Sequence, residues 1–525
     1  MNKADMTTKG RQKSDRSIVP RKGSNAPGGK GATVGKTVRQ LELFREPAES
    51  PSGDATSAEV GRPIPARHAV PLSRATERPP APAMTITMET IGDQGNLLRA
   101  FKRVAANRGA PGVDGRSIGQ VREVLPRLLP KLHRELLDGS YRPGSIRRVW
   151  IPKPGGERRG LGIPNVVDRL VQQAVLQVLS PYYEPTFHES SHGFRPGRST
   201  HTAIAESRSY VEDGLEWVVD IDLAKFFDRV NHNRLLARLE QRIDDKRVIE
   251  LIRRMLKAKV VMPDGVVVAT NEGTPQGGPL SPLLSNIVLD ELDRELARRG
   301  HRFVRYADDA KIYVGSERAG QRVMKSVSRF IERRLKLSVN ERKSAVGRAE
   351  ERHFVGFVLR RKPEDGTVEV LLSERSKKRL RAKIRELTPR NWGQSLVRCI
   401  EGVNKYMQGW VRAFRICTEG EERTLHNADA HLRRRLRAIK LKQWKRRRTV
   451  AKRLIKLGVK AKTAWRYIYR GRQSLWALSH CAAVHRGLRN AYFVQYGLES
   501  LKQQWQDKRT EAIVMARRQR TLTFG

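Results

Sequence analysis

An α+β fold is what the sequence predicts, from three observations. Trp217 to Leu223 and Arg302 to Val314 alternate apolar and polar residues with the period of two expected of half-buried strands. Around them run stretches with apolar residues three and four apart: Asp168 to Leu179, Leu283 to Arg298 and Gln321 to Leu335. That spacing is the mark of amphipathic helices. After residue 371 the helical pattern takes over, in Ser373 to Leu387, Gly402 to Phe414 and Asn427 to Arg446.

Taken in order, residues 1–88 are rich in Gly, Pro, Ser and charge and poor in large apolar groups, which predicts a disordered tail. Folded structure is expected from about Gly92, with a turn-rich loop at Asn107 to Gly115 and a second helical stretch over Ser117 to Leu137. Val149 to Pro164 reads as two short strands joined by a Gly-rich tip bearing Lys153, Arg158 and Arg159. Such a tip suits a triphosphate, and it is equally an ordinary basic loop. Pro181 is expected to end the helix that starts near Asp168. His188 to Arg198 mixes Gly, Pro, Phe and two Arg, as a template clamp or a plain structural loop would. The His188/His192 pair is discounted as a zinc site, because Gly193 and Pro196 argue against a helix there.

Asn271 to Pro282 is a loop that carries Gln276 among small residues, and it leads into a helix whose Asp290, Glu291 and Asp293 are expected to face outward. Tyr306-Ala307-Asp308-Asp309 reads as the tip of a β-hairpin with a three- or four-residue connection. On its own, the acidic pair is also simply good turn chemistry. His353 to Leu359 looks strand-like around Gly356.

The 525 residues include 104 Lys and Arg against 55 acidic residues, a formal charge of +49. That excess calls for a polyanionic partner. No apolar run is long enough to span a membrane, so nucleic acid is the expected one. Residues 371–525 hold 39 basic and 10 acidic residues. There Arg433, Arg434, Arg437, Lys440 and Lys445 are expected to form a basic face, with Trp444, Trp465, Tyr467 and Tyr469 interleaved for base stacking. Cys399, Cys417 and Cys481 have neither zinc nor disulfide spacing, and no secretory leader is visible, so a cytoplasmic location is expected.

On Trp217 to Leu223 the two acids Asp220 and Asp222 share one face. If that strand lies beside the hairpin, Asp222, Asp308 and Asp309 converge, and three hard oxygen donors with room for phosphate oxygens suit a pair of Mg²⁺ ions. Two such ions activate a 3′-hydroxyl and stabilise a pyrophosphate leaving group.

At this point the ordered motifs resemble the group II intron-encoded reverse transcriptases, or maturases. The resemblance covers about residues 92 to 500 and rests on Gly109 to Gly115, Ile151 to Gly156, His192 to Gly197 and Asp220 to Asp228, followed by Thr274 to Pro282, Tyr306 to Asp309, Phe354 to Phe357 and Tyr406 to Trp410. It implies a right-hand polymerase with fingers (89–205), an antiparallel palm sheet (206–362), a helical thumb or maturase domain (371–450) and a basic nucleic-acid-binding end (451–525).

The resemblance also implies roles for single residues. Asp222, Asp308 and Asp309 become the catalytic metal ligands, with Asp222 preferred over its rival Asp220 because Phe227 follows at the family's spacing for an aromatic. Phe227 would close against the sugar 2′ position, Lys153 and Arg159 would hold the triphosphate, Gln276 would touch the nucleotide, and Lys343 would protonate the leaving group. Phe354, Gly356 and Phe357 would grip the primer. The implied partners are group II intron RNA, an RNA template with a DNA primer, dNTPs and target DNA, in a bacterial cytoplasmic ribonucleoprotein. Cys481, His480 and His485 do not make the His-Asn-His endonuclease that many relatives carry, so none is expected. Two alternatives share these motifs: a splicing-only maturase, and a reverse transcriptase of a defence system or another retroelement.

Overall fold

The computed structural model describes residues 86–152, 158–471 and 473–511. Lys153 and nearly all of the expected tail lie outside that set, although Ile86 and Met88 at the tail's end are buried. Ten strands occur among the described residues: β1 (Ile146–Pro152), β2 (Arg158–Ile163), β3 (Trp217–Asp222), β4 (Val260–Val261), β5 (Val267–Val268), β6 (Arg302–Tyr306), β7 (Asp309–Val314), β8 (Ala345–Arg348), β9 (Phe357–Arg361) and β10 (Val368–Leu372). They form sheets of order β2-β1-β4-β5, β6-β7-β3-β8 and β10-β9. All pairings are antiparallel except β1 with β4. The mixture of helix and sheet is α+β.

The sheet β6-β7-β3-β8 sits between two apolar cores. Val219, Ile221, Phe303 and Ile312 point into one, with the helices Val166–Tyr183 and Ser281–Arg298. Val218, Val304 and Tyr313 point into the other. This second core continues through Val403, Met407, Leu436, Leu454, Phe493 and Trp505, so residues on both sides of position 450 bury their apolar faces together. Trp505 is 2% exposed, and an aromatic buried that fully contributes about 2–3 kcal/mol. Among the described residues no helix is long and apolar enough to cross a membrane.

Several local expectations change. The stretch Ser117 to Leu137 is two helices, Ile118–Glu123 and Leu125–Leu137, parted at Val124 because Pro126 has no N–H to continue the first helix and is tolerated only in the first turn of the second. Pro181 does not end its helix, which runs through it to Tyr183 before a 3₁₀ turn. The hairpin connection between β6 and β7 is two residues, Ala307 and Asp308, because Tyr306 pairs directly with Asp309. Two-residue connections favour a positive φ at the first central position, and Ala307 has φ +58°. His353 to Leu359 is not one strand. Val355 and Gly356, at φ +41° and +102°, form a tight turn closed by reciprocal backbone bonds of 2.8 Å between Phe354 and Phe357. Gly356 suits a conformation that a side chain would strain.

Candidate active site

Strand register brings the acids together. Asp222 pairs with Asp309 and Asp220 with Lys311, so these four side chains share one sheet face, with Asp308 on the turn beyond. The two acids of β3 are treated differently. Asp220 is 7% exposed, and its Oδ1 accepts from Lys311 Nζ at 2.5 Å. Asp222 is only half-buried, and its carboxylate accepts from the Asn340 amide at 3.3 Å while its backbone N–H donates to Ser344 Oγ at 3.0 Å. The lysine on the same face answers the cost of burying Asp220. In the same register Asp222 stands opposite Asp309 and not a lysine.

Asp308 and Asp309 both have carboxyl pKa values above the usual range. Burial is the main cause for each; the Asp222 charge adds to it at Asp308, and Arg159 and Arg305 partly offset it. Asp309 is pushed up to about 6 by burial, against the pull of the Lys311 ammonium. Yet 38% of its side chain stays accessible, which leaves a path for water or a cation. Lys311 is 3% exposed. Burial disfavours its charge, but Asp309 and Asp220 outweigh that and raise its pKa.

Do these donors fit a divalent ion? Their chemistry does: hard carboxylate oxygens, two of them with pKa values raised by burial, at the accessible end of a sheet. Among the described residues, however, no three acidic, His or Cys side chains form a cluster able to hold an ion by themselves. An ion here would share its coordination with ligand oxygens, as Mg²⁺ commonly does with substrate phosphates.

The turn that carries the acids is held from below. Arg305, 1% exposed, donates through Nε and Nη2 to both oxygens of Asp293, at 2.7 and 2.6 Å, and through Nη1 to Asn286 and to the Ala307 carbonyl at 3.0 and 2.7 Å. Asp293, expected to face outward, is 0% exposed. The loop His188 to Arg198 is part of the same support. His192 N–H donates to the Arg305 carbonyl and Arg305 N–H to the Ser190 carbonyl, both at 2.8 Å. A β-carbon on Gly193 would stand 2.1 Å from the Ala307 nitrogen, so only glycine allows this approach. The left-handed Ala307 costs about 1–3 kcal/mol, and these contacts hold it in place.

The remaining expected residues fall around this centre. Arg159 on β2 donates to Gln276 Oε1 at 2.7 Å, and the Gly162 N–H donates to the Gln276 carbonyl at 2.8 Å, so hairpin and loop present the two side chains jointly. Phe227, 8% exposed, is tied to that loop by the Thr274 N–H on its carbonyl at 2.6 Å. Lys343 is exposed on the turn after Asn340. Phe354 and Phe357 are buried, which leaves the Val355-Gly356 turn as the accessible part of that motif. The turn rests on the helices that follow: the Gly356 carbonyl accepts from Ser376 Oγ at 2.7 Å, and the rings of Phe357 and Phe414 lie 5.2 Å apart. Residue reasoning missed Lys311, Asn340 and Ser344. Lys311 had a signal, a lone charge between Asp309 and Tyr313 on a period-two face.

Comparison with known proteins now bears on this arrangement. Residues 151–359 match the family "Reverse transcriptase (RNA-dependent DNA polymerase)", and 377–456 match "Group II intron, maturase-specific domain". The group II intron-encoded protein LtrA of Lactococcus lactis is 30% identical over 330 residues, covering 50% of this chain and 54% of that protein. In this order the matches make the chain similar to the group II intron-encoded reverse transcriptases/maturases. Protein YkfC of Escherichia coli is 42% identical over 209 residues, 39% of this chain and 55% of that protein. A putative COX1/OXI3 intron 2 protein of Saccharomyces cerevisiae is 27% identical over 337 residues, 53% of this chain and 39% of that protein. The chain thus spans about half the length of the first two relatives. All the candidate site residues fall within the reverse transcriptase match, and the helices supporting the Gly356 turn fall largely within the maturase match.

The maturase helices are less uniformly solvated than their charge suggests. Arg437 is 5% exposed; its Nε donates to the Leu488 carbonyl at 3.0 Å, and burial lowers its pKa to about 10. Arg434 stacks on Trp476 at 4.3 Å and Lys440 lies 5.7 Å from the Tyr496 ring. These cations fasten residues 475–498 onto the helix Glu422–Trp444 and do not form one open basic face. A different stripe is open. On the helix Ala461–Tyr469, Lys462, Trp465, Arg466 and Tyr469 are exposed at helical spacing, opposite buried Ala464 and Ile468.

Proposed function

We propose that the protein is an RNA-directed DNA polymerase that also binds group II intron RNA and assists splicing and mobility. The observation that carries this reading is the register that sets Asp222 beside Asp309, with Asp308 on the adjoining turn and Arg159 and Gln276 alongside. Residues 89–205 act as fingers, 206–362 as palm, 371–450 as thumb or maturase domain and 451–525 as a basic end.

Two Mg²⁺ ions, held by Asp222, Asp308 and Asp309 with the triphosphate, would activate the primer hydroxyl and stabilise the departing pyrophosphate. The chain's own residues do the positioning. Arg159, with Lys153, neutralises the triphosphate, and Gln276 contacts the nucleotide beside it. Phe227 excludes a ribose 2′-hydroxyl, and Lys343 supplies a proton to the leaving group. The Val355-Gly356 turn supports the primer end, with Phe354 and Phe357 rooted in the core beneath. Exposed Trp465 and Tyr469 offer stacking faces between Lys462 and Arg466 to an unpaired strand of RNA or target DNA. The working setting is a cytoplasmic ribonucleoprotein.

Primer extension on an RNA template with Mg²⁺ and dNTPs tests the polymerase. Robust extension by an Asp308→Ala, Asp309→Ala double variant would refute the assigned site. Intact splicing assistance with no extension by the natural chain would mark a splicing-only maturase. RNA binding that stayed flat as salt rose would contradict the electrostatic reading.

A further inference from the structure

Lys311 gives Asp309 a cation before any metal arrives. Its Nζ lies 2.5 Å from Asp220 Oδ1 and 3.0 Å from Asp309 Oδ1. The two partners differ in access: the Asp220 side chain is 10% exposed and that of Asp309 38%. On a further side the Phe354 ring lies 5.7 Å from Nζ, so the ammonium is confined between the two carboxylates and an aromatic. One ammonium therefore serves a buried acid that cannot leave and an accessible acid expected to bind metal.

We propose that Lys311 is a positioning residue that competes with the divalent ion for Asp309, and that Asp220 is its holding partner rather than a metal ligand. Without nucleotide, Lys311 bridges both acids and weakens metal binding at Asp309. When an ion is brought in with the negative triphosphate, Asp309 turns to it and the ammonium remains on Asp220. Binding at Asp309 is thereby conditional on the substrate. No bond is made or broken in this exchange; only an ion pair moves. The inference rests on the reading of Asp222, Asp308 and Asp309 as metal-binding acids.

The test follows the melting midpoint of the full chain as Mg²⁺ is titrated, without nucleic acid or nucleotide. In Asp220→Asn the ammonium belongs to Asp309 alone, and half-saturating Mg²⁺ should rise. In the double variant Asp220→Asn, Lys311→Met the net charge is unchanged and neither buried charge is stranded, so folding is protected. There half-saturating Mg²⁺ should fall by about tenfold, on the order of what losing one close cationic competitor implies. Opposite shifts in the single and double variants are the expected signature. Weaker Mg²⁺ binding in both would make Asp220 a ligand and overturn the proposal, as would unchanged titrations in both, which would leave Lys311 a structural group. Asp309→Asn is the separate control: if it leaves the Mg²⁺ titration unaltered, the underlying assignment of Asp309 has failed instead.

Discussion

Two acidic regions lie a short way apart in this molecule and are built on opposite terms. At the hairpin tip, Asp308 and Asp309 are held above the ordinary carboxyl range, and both keep some access to solvent. Beneath it, Asp293 has both oxygens bound by a buried arginine, and Glu206 accepts from Ser190, His192 and Tyr210 at 2.5, 2.6 and 2.7 Å. Burial raises the Glu206 pKa, but the hydrogen bonds from His192, Ser190 and Tyr210 outweigh it and leave the carboxyl below its usual value. The support is satisfied by its own fold, while at the tip Asp309 has only an ammonium that it shares with Asp220. A group kept short of partners is available to a ligand, and this costs stability that the saturated region underneath supplies.

If the contrast is real, the regions should fail differently. The largest effect is expected at the tip: Asp308→Ala with Asp309→Ala should lower primer extension by about 10³-fold or more, since metal-borne charge stabilisation is worth several kcal/mol. Its melting midpoint should hold or rise, because carboxyls whose folded pKa is raised oppose folding once ionised. A large drop in stability would break the comparison from that side. Next comes Arg305→Met, which strands Asp293 in the core and should cost about 3–5 kcal/mol in denaturant melts. A smaller cost would mean that the support is not the stabilising half.

Gly193→Ala joins the two regions. Its β-carbon has no room beside Ala307, so the turn must shift, and about 10²-fold of activity should go for a displacement near 1 Å. Stability should suffer less than in Arg305→Met. The smallest effect belongs to Glu206→Gln, about 1–2 kcal/mol near neutral pH, as for hydrogen bonds to a charged group. Because the folded pKa of Glu206 is depressed, its contribution is fully present above the unfolded carboxyl pKa and disappears as pH falls through the folded one. Wild type and variant should therefore converge in acid. A difference that persisted there would assign the loss to packing and not to charge.

Much of the tip was legible along the chain. Alternation in Trp217 to Leu223 and Arg302 to Val314 placed acids on strand faces, and the period of two does not depend on distant contacts. The turn length was misjudged by a residue or two, because pairing of Tyr306 with Asp309 is set between strands. The support was not legible. Asp290, Glu291 and Asp293 lie so close along the helix that spacing alone does not say which is buried, and Asp293 is buried because Arg305 reaches it from another element. Likewise His188 to Arg198 reads along the chain equally as a template clamp or a structural loop, and its work against the turn depends on contacts more than a hundred residues apart.

By itself the sequence determined the α+β character, the large excess of positive charge, and three carboxylates with the motif order of a reverse transcriptase and maturase, since these follow from local period, composition and spacing. Tertiary structure alone decided which acid on β3 is already paired and which is open. Asp220 and Asp222 are equivalent by alternation, and only the register with β7 sets one against Lys311 and the other against Asp309. Charge pairing across strands acts over a few ångströms in space, and sequence separation does not encode it.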